Sequence, residues 1–493
     1  MSINDQRFDW PPVLSAPFIE DLTSIMFPAP EDKRKGVDVY KAYKDRVTIA
    51  EHLISSLYQA YSSPHTPNTV SYPLKNDAYK LNSQFLIPYS RTRAKEVLER
   101  LTNLSWIKVT DAVEQKKYTR IKAAGGLADM FDEVGLIWFP QKPLEPYRTV
   151  LMRDVVRDAK GIPLRRGAGN KTKKHWVEVE QSKEVKRIQD NLHIINSFLT
   201  KQCITLDLTD EQLNHVTQEL NKNKDDNKQL LDLRRVQLVR IFSRGTLDKG
   251  GRFYRGWWLG VPSKHRPHIR INGSKTVEVD YSAMHIRILY AQAGIEYSLN
   301  KDPYDLGLSD WLGKQDPRRK LIKQAFNALI NDEDNVYTID KTIQQRLNLT
   351  HTEFLDKIKS IHPKLYPLLQ SDVGLKTQRL DSDIAEEVML SFINEGITCL
   401  PIHDSFIVPA GYAWDLQQKL KEAFKKFVGV TTEVDVGGVK SSKLFNLSFK
   451  EIESIPIEES IYTGKRVYEE LVNKRSSGSS MDNYLKSYKN LGS

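Results

Sequence analysis

An acid stands in the middle of an apolar hairpin. In the stretch CLPIHDSFIVPA, residues 399–410, Cys399, Leu400 and Ile402 lead into His403, Asp404 and Ser405, and Phe406, Ile407 and Val408 then resume the apolar run until Pro409 stops it. Short apolar runs bounded by turn residues read as buried strands, so the stretch predicts two strands with a carboxylate at their junction. An ionised carboxylate left buried and unpaired costs several kcal/mol, which restricts the chain to folds that bring a cation to Asp404. A second stretch has the same form. In KTVEVDYSAMHIRILYAQAG, residues 275–294, a β-branched strand runs to Asp280, after which Met284, Ile288 and Leu289 take helical spacing. Either acid alone is adequately explained as a strand-end turn or cap. Together, at adjacent strand ends, they make a site for hard divalent cations, magnesium or manganese in its place, which prefer oxygen ligands. Two such ions can activate an attacking oxygen and steady the charge of an in-line phosphoryl displacement.

Between the acids lies DPRRKLIKQAFNALIND, residues 316–332, whose spacing predicts a helix. Arg319 and Lys323 are one turn apart on it and project from one face, where two cations suit a triphosphate. In isolation the pair would be a solvated basic face; flanked by the two acids it becomes a candidate phosphate grip.

Charge points the same way. Lys and Arg number 73 against 63 Asp and Glu, giving +10, a balance that favours a polyanionic partner such as nucleic acid. The two cysteines, Cys203 and Cys399, each sit in an apolar stretch, which excludes a disulfide framework and a Cys-rich zinc site and fits a reducing compartment. No apolar stretch approaches the ~18 residues needed to span a bilayer, and the N-terminal residues carry no basic and apolar leader. The expectation is a cytoplasmic, monomeric protein without a membrane partner.

At 493 residues the chain has room for roughly three domains. Residues 1–157 hold an amphipathic segment and then PYSRTRAKEVLERLTNLSWIKVTDAVEQKKYTRIKAA, residues 88–124. Ser90 is an N-cap candidate, and Ala94, Val97, Leu98 and Leu101 form one buried helix face opposite Arg91, Lys95 and Glu99. The strands WIKV and YTRIKA follow. Helix, strand, turn, strand is the order of a winged helix-turn-helix with Arg91 and Lys95 toward nucleic acid; an ordinary small α+β domain has the same order. Residues 158–175 carry Arg165, Arg166, Lys171, Lys173 and Lys174, which suit phosphates, yet such a run is usually a solvated loop, and the stretch reads as a basic linker. Residues 176–245 read as a helical, thumb-like or connecting region, 246–458 hold the paired acids, and 459–493 form a polar tail, expected to be poorly ordered.

These motifs resemble the family A polymerase superfamily. DYSAMHIR is similar to its first catalytic motif, RKLIK to its fingers-helix motif and HDSF to its last palm motif, in the same order. DKGGRFY, residues 248–254, resembles the Asp-x-Arg-Gly-Arg-x-Tyr motif of bacteriophage-type and mitochondrial single-subunit RNA polymerases, with Gly250 in place of the first arginine and Arg252 and Tyr254 matching. HDSF also looks like those RNA polymerases, since the DNA polymerases usually carry Glu after His-Asp. The resemblance implies an α+β right-hand core: an antiparallel palm sheet with helical fingers between about 290 and 380. It implies that Asp280, Asp404 and the carbonyl of Tyr281 hold two Mg2+ ions, that Arg319 and Lys323 hold the nucleoside triphosphate, that His403 supports the primer end or Asp404, and that Arg252 and Tyr254 meet template or hybrid.

The chain departs from the pattern at two positions tied to sugar choice. Asn331 stands where the family has a fingers-helix tyrosine, and His285 stands where the DNA enzymes have Glu and the RNA enzymes Gly. The implied activity is template-directed nucleotidyl transfer on DNA, with the RNA polymerase branch favoured. A DNA polymerase, a template-independent transferase, and a catalytically silent winged-helix replication or regulatory protein are the alternatives. A metal-dependent phosphohydrolase is disfavoured because its His-Asp pair lies on a helix among further liganding histidines, whereas Ile402–Val408 reads as strand.

Overall fold

Alternation along one strand decides which way the candidate acid faces. In Ser274–Tyr281, Val277, Val279 and Tyr281 are buried and Glu278 and Asp280 are only half-buried. Successive side chains of a strand point to opposite faces, so the valines and tyrosine enter the core and the acids emerge on the other side. The structure is a computed structural model that describes residues 13–30, 37–61, 70–73, 91–110, 118–135, 141–166, 171–221, 231, 233, 235–296, 298, 301–331, 338–369, 373–436, 439 and 440. Ser90 and the 459–493 tail lie outside the described residues.

The N-terminal region contains α1 (Pro17–Met26), α2 (Val37–Tyr61), β1 (Val70–Pro73), α3 (Arg91–Asn103), β2 (Ile107–Thr110), β3 (Tyr118–Ala123) and α4 (Gly125–Val134). Its strands form an antiparallel sheet of order β1-β3-β2. Ala94, Val97 and Leu101 of α3 pack with Leu53, Leu57, Ile121 and Phe131 in a separate core. That packing leaves Lys95 and Glu99 exposed on the opposite face, as an ion pair at 3.3 Å.

The chain continues through β4 (Val150–Val155), β5 (Arg165–Arg166), β6 (Lys171–Thr172), β7 (Lys174–Val177), α5 (Lys183–Leu199), β8 (Ile204–Leu206), α6 (Asp210–Asn221), β9 (Val239–Ser243) and β10 (Thr246–Tyr254). One sheet has the order β10-β9-β4-β7, with β4 and β9 parallel. Two sequence expectations are corrected here. The basic stretch 158–175 is no free linker, because β5 pairs with β6 and Lys174 pairs with Val155 of β4. The region 176–245 is helical only in part, since β8 and β9 join two different sheets.

The second sheet is built by β11 (Ile269–Ile271), β12 (Ser274–Tyr281), β13 (Leu400–Ile402), β14 (Ser405–Pro409), β15 (Val434–Val436) and β16 (Val439–Lys440) together with β8, in the order β13-β14-β12-β11-β8 with β15 on β12. All of its pairs are antiparallel. Helices α7 (Met284–Gln292), α8 (Pro317–Ile330), α9 (Lys341–Leu347), α10 (His351–Ile361), α11 (Val373–Ile393) and α12 (Ala413–Val428) complete the α+β architecture. The α7 helix is apolar on two sides: Met284 and Ile288 join the sheet core, while Ile286 and Leu289 join the core of α8 and α10.

A charged network fixes α11 against β9 and β10. The Arg240 guanidinium, 0% exposed, donates to Glu386 Oε2 at 2.8 Å, Asp383 Oδ1 at 2.9 Å, Ser382 Oγ at 2.9 Å and the Gly251 carbonyl at 2.7 Å. Glu386 also accepts from Arg187 and Asn191 of α5, both at 2.8 Å. The Gly251 carbonyl is available because β10 bulges: the pairing register shifts around Gly250 and Gly251, whose φ values are +76° and +81°. A Cβ on Gly251 would lie 2.7 Å from the Phe242 ring, so the double glycine of DKGGRFY is required by the backbone. Replacing Arg240 by alanine strands several buried carboxylate and hydroxyl oxygens. The variant should lose about 3–5 kcal/mol in urea unfolding, and a loss under about 1 kcal/mol would show that the network is dispensable.

Candidate active site

A tight turn presents Asp404. Ile402 and Ser405 are register partners of β13 and β14, so His403 and Asp404 are the two central residues of the hairpin. His403 has φ +56°, a conformation that favours glycine at the first position of such turns and costs a residue with a side chain roughly 1–2 kcal/mol. Strain of this kind persists where surroundings over-determine it. Here Asp280 and Ser405 are register partners across β12 and β14, and the Tyr281 N–H donates to the Asp404 carbonyl at 3.1 Å. The hairpin therefore sets Asp404 directly beside the end of β12, bringing together the two acids of the sequence reading.

Burial and the charge of Asp404 push the Asp280 carboxyl up to about 8, with Glu278 and Asp435 adding to the rise and Lys323 opposing it. Asp280 Oδ1 is buried without a hydrogen-bond partner. Glu278 is already satisfied by Arg266 at 2.7 Å and Ser405 Oγ at 2.6 Å. What remains around Asp280 and Asp404 is negative charge short of a cation. Hard oxygen donors with an orphaned buried oxygen fit a divalent cation. Among the described residues no three His, Cys, Asp or Glu side chains gather into a closed metal cage; magnesium is ordinarily held by one or two carboxylates with waters and substrate phosphates. The Tyr281 side chain takes no part, since it lies in the core and donates its hydroxyl to the Leu420 carbonyl at 2.7 Å; only its backbone is available to the site.

The candidate phosphate ligands take different positions. Both lie on α8, which Asp316 caps by accepting from the Arg318 N–H at 2.8 Å. Lys323 is near enough to Asp280 to oppose the rise in its carboxyl pKa. Arg319 instead makes a two-pronged pair with Asp302, at 2.6 and 3.1 Å, and its guanidinium lies 4.9 Å from the Tyr304 ring centroid. Asn331 is the C-cap of α8, donating to the Asn327 carbonyl at 2.7 Å and accepting from Gln378 of α11 at 3.0 Å.

Arg252, Tyr254 and His285 converge from β10 and α7. Arg252 is paired with Asp381 of α11, Nε lying 2.9 Å from Oδ2. His285 Nε2 lies 2.8 Å from both Asp381 Oδ2 and Arg252 Nη2. The Tyr254 ring meets His403 edge-on with centroids 6.3 Å apart. A shallow pocket between β10, α11 and the hairpin turn has Arg252, Asp381 and His403 on its wall. Lys95 lies on α3 of the N-terminal region, as does the backbone of Arg91.

Sequence reasoning missed Asp302, Lys314, Asp381 and Asp435. Asp435 is the register partner of Asp280 on β15, and opposed residues of an antiparallel pair share a face. Its carboxylate is held by Lys314 Nζ at 3.2 Å, which also reaches Ser282 Oγ at 3.3 Å. The apolar alternation of TEVDV, identical in form to that of VEVDY, was the available signal for Asp435.

No protein-family model matches this sequence, and no curated protein matches it. Among solved structures the chain is similar to the POL domain of Pol1 from M. smegmatis in complex with DNA primer-template and dNTP, at 14% identity and a TM-score of 0.29, over 52% of this chain and 51% of that one. The match thus spans about half of that chain.

Lys314 is a built-in counter-charge on this face, held 3.2 Å from Asp435. Lys314→Met should destabilise the metal-free protein by roughly 1 kcal/mol or less, the pair being partly exposed. It should also enlarge the rise in Tm produced by millimolar Mg2+, because the site then lacks one cation. An equal Mg2+-induced shift in variant and parent would overturn this account.

Proposed function

We propose that the chain is a template-directed nucleic-acid polymerase that joins nucleotides by divalent-metal-assisted phosphoryl transfer, with the RNA polymerase branch of the resembled superfamily favoured. The observation that carries the reading is the pairing of Asp280 and Asp404 at neighbouring strand ends, with a buried, unpartnered Asp280 oxygen and Lys323 close by. In the reaction a 3′-hydroxyl attacks the α-phosphorus of a nucleoside triphosphate; the new P–O bond forms as the bond to the bridging α–β oxygen breaks, pyrophosphate leaves, and the hydroxyl proton passes to solvent. Two Mg2+ ions held by Asp280, Asp404 and the Tyr281 carbonyl would supply activation of that hydroxyl and neutralisation of the charge that builds on phosphorus. On this reading Lys323 is the α8 cation that meets the phosphates, and the Asp302-held Arg319 is one helical turn from it. The strained turn at His403 sets the position of Asp404.

For the N-terminal region we infer a winged helix. The order α2, β1, α3 and the β2–β3 hairpin, with the sheet order β1-β3-β2, supports that reading, in which α3 presents Arg91 and Lys95 to duplex DNA.

Asp280→Asn and Asp404→Asn should each abolish Mg2+-dependent incorporation on a primed or an unprimed template, because removing a metal carboxylate forfeits several kcal/mol of transition-state stabilisation, while melting and DNA affinity stay near those of the parent. Near-normal incorporation by either variant would sink the assignment.

Sugar choice falls to His285. Its Nε2 is committed to Asp381 and Arg252, so a 2′-hydroxyl would be met by Nδ1. His285→Ala should lower ribonucleotide use relative to deoxyribonucleotide use by about tenfold, the worth of one hydrogen bond. A rise in ribonucleotide use would instead identify a steric barrier and move the protein to the DNA polymerases.

A further inference from the structure

The stretch that composition marks as a linker is a built ribbon. Beyond β4 the Val156 N–H donates to the Lys173 carbonyl at 2.9 Å, and its own carbonyl accepts from Leu164 at 2.8 Å. The Asp158 carboxylate closes the turn by accepting from the Lys160 and Ile162 N–H groups, both at 2.9 Å. The returning strand then enters the β5–β6 hairpin and descends through β7 to the sheet. At the ribbon's root the Arg153 guanidinium stacks 4.0 Å over the Trp176 ring.

Arg157, Lys160, Arg165, Lys173 and Lys174 are exposed along this ribbon. Its one acid between Arg157 and Lys174, Asp158, is spent on the turn. Arg157, Lys160 and Lys173 make no ion pair among the described residues. Between the cations stand Ile162 and Leu164, 57% and 38% exposed. Lysines on an edge strand commonly serve to block edge-to-edge pairing, and that purpose would account for Lys174 on β7. It does not account for Lys160 on the turn side, nor for two exposed branched aliphatics, which work against solubility; Arg157 donates from Nη1 to the Gly161 carbonyl at 2.9 Å, and its guanidinium is otherwise exposed.

We infer that this ribbon is a contact surface for duplex nucleic acid, its cations lying along phosphates and Ile162 and Leu164 against sugars and base edges. A β-ribbon fits the major groove, and phosphate contacts from exposed Arg and Lys fix position without reading sequence. The inference rests on the nucleic-acid part of the proposed function and is independent of the metal chemistry at Asp280 and Asp404.

The test is duplex DNA binding by fluorescence anisotropy across a salt series, with the full chain. Arg157→Gln, Lys160→Gln and Lys173→Gln together should reduce the slope of log K against log salt by about 2 to 3, each neutralised phosphate contributing about 0.9. The three single variants should each take about 0.9, which keeps the test open if the triple variant folds poorly. Ile162→Ser with Leu164→Ser should weaken binding several-fold with the slope unchanged. Unchanged affinity and slope in the glutamine variants would overturn the inference, as would a loss of binding to anionic phospholipid vesicles with none to DNA. Asp280→Asn separates the two readings: if it ends incorporation while the glutamine variants bind DNA as the parent does, the ribbon assignment fails and the polymerase reading stands.

Discussion

Arg240 is the cation on which the arrangement of the site depends. It has no exposed surface, and it reaches the Gly251 carbonyl on one side and Ser382, Asp383 and Glu386 on the other. That single guanidinium therefore fixes the β10 bulge against one turn of α11. One residue beyond the bulge, Arg252 meets Asp381, which directly precedes Ser382 on the same helix. Taking ions out of water offsets most of what their attraction returns, so the network contributes geometry more than net stability: only one register of β10 on α11 satisfies every charge. Arg379 extends the same logic, pairing with Asp383 and with Glu184 of α5 at 2.9 Å each.

The parts of this design that were legible in the sequence are local. Period-two alternation in VEVDY predicts its strand and the face of its acid, the short apolar run of SFIV predicts a second, buried strand, and helical spacing after Asp280 predicts α7. These patterns are written within a few residues of one another, and the hairpin between β13 and β14 needs only the two-residue turn between them. The α3 face and the strands β2 and β3 were readable for the same reason.

What was not legible is partnership across the chain. On α11 the acids Asp381, Asp383 and Glu386 look like a solvated face until β9 and β10 bring Arg240 and Arg252 against them, and nothing in their spacing announces arginines more than a hundred residues earlier. Arg319 and Lys323 have the same spacing as a phosphate grip, yet the position of Asp302 in the preceding loop separates their roles. Composition marks 158–175 as a linker because strand pairing there depends on backbone hydrogen bonds to Val156, to which composition is blind. Gly250, a departure from the resembled motif, has a physical reason: at φ +76° a Cβ there would stand 3.0 Å from Ser243 Oγ.

The distribution of charge bears on how a triphosphate would reach the acids. Arg318 is paired with Asp316, Arg319 with Asp302 and Lys314 with Asp435, so each of these cations arrives already matched, while the raised pKa of Asp280 beside Asp404 marks a carboxylate pair that lacks positive charge. A bare polyanion would be repelled there; one carrying divalent cations would not, since the ions supply what the carboxylates lack. Phosphate oxygens offer a guanidinium the same two-pronged geometry as a carboxylate. On the proposed reading, Asp302 holds Arg319 in an orientation that a phosphate can inherit by exchange, so that one charge-assisted pair replaces another and little of the binding energy is lost in freeing the side chain.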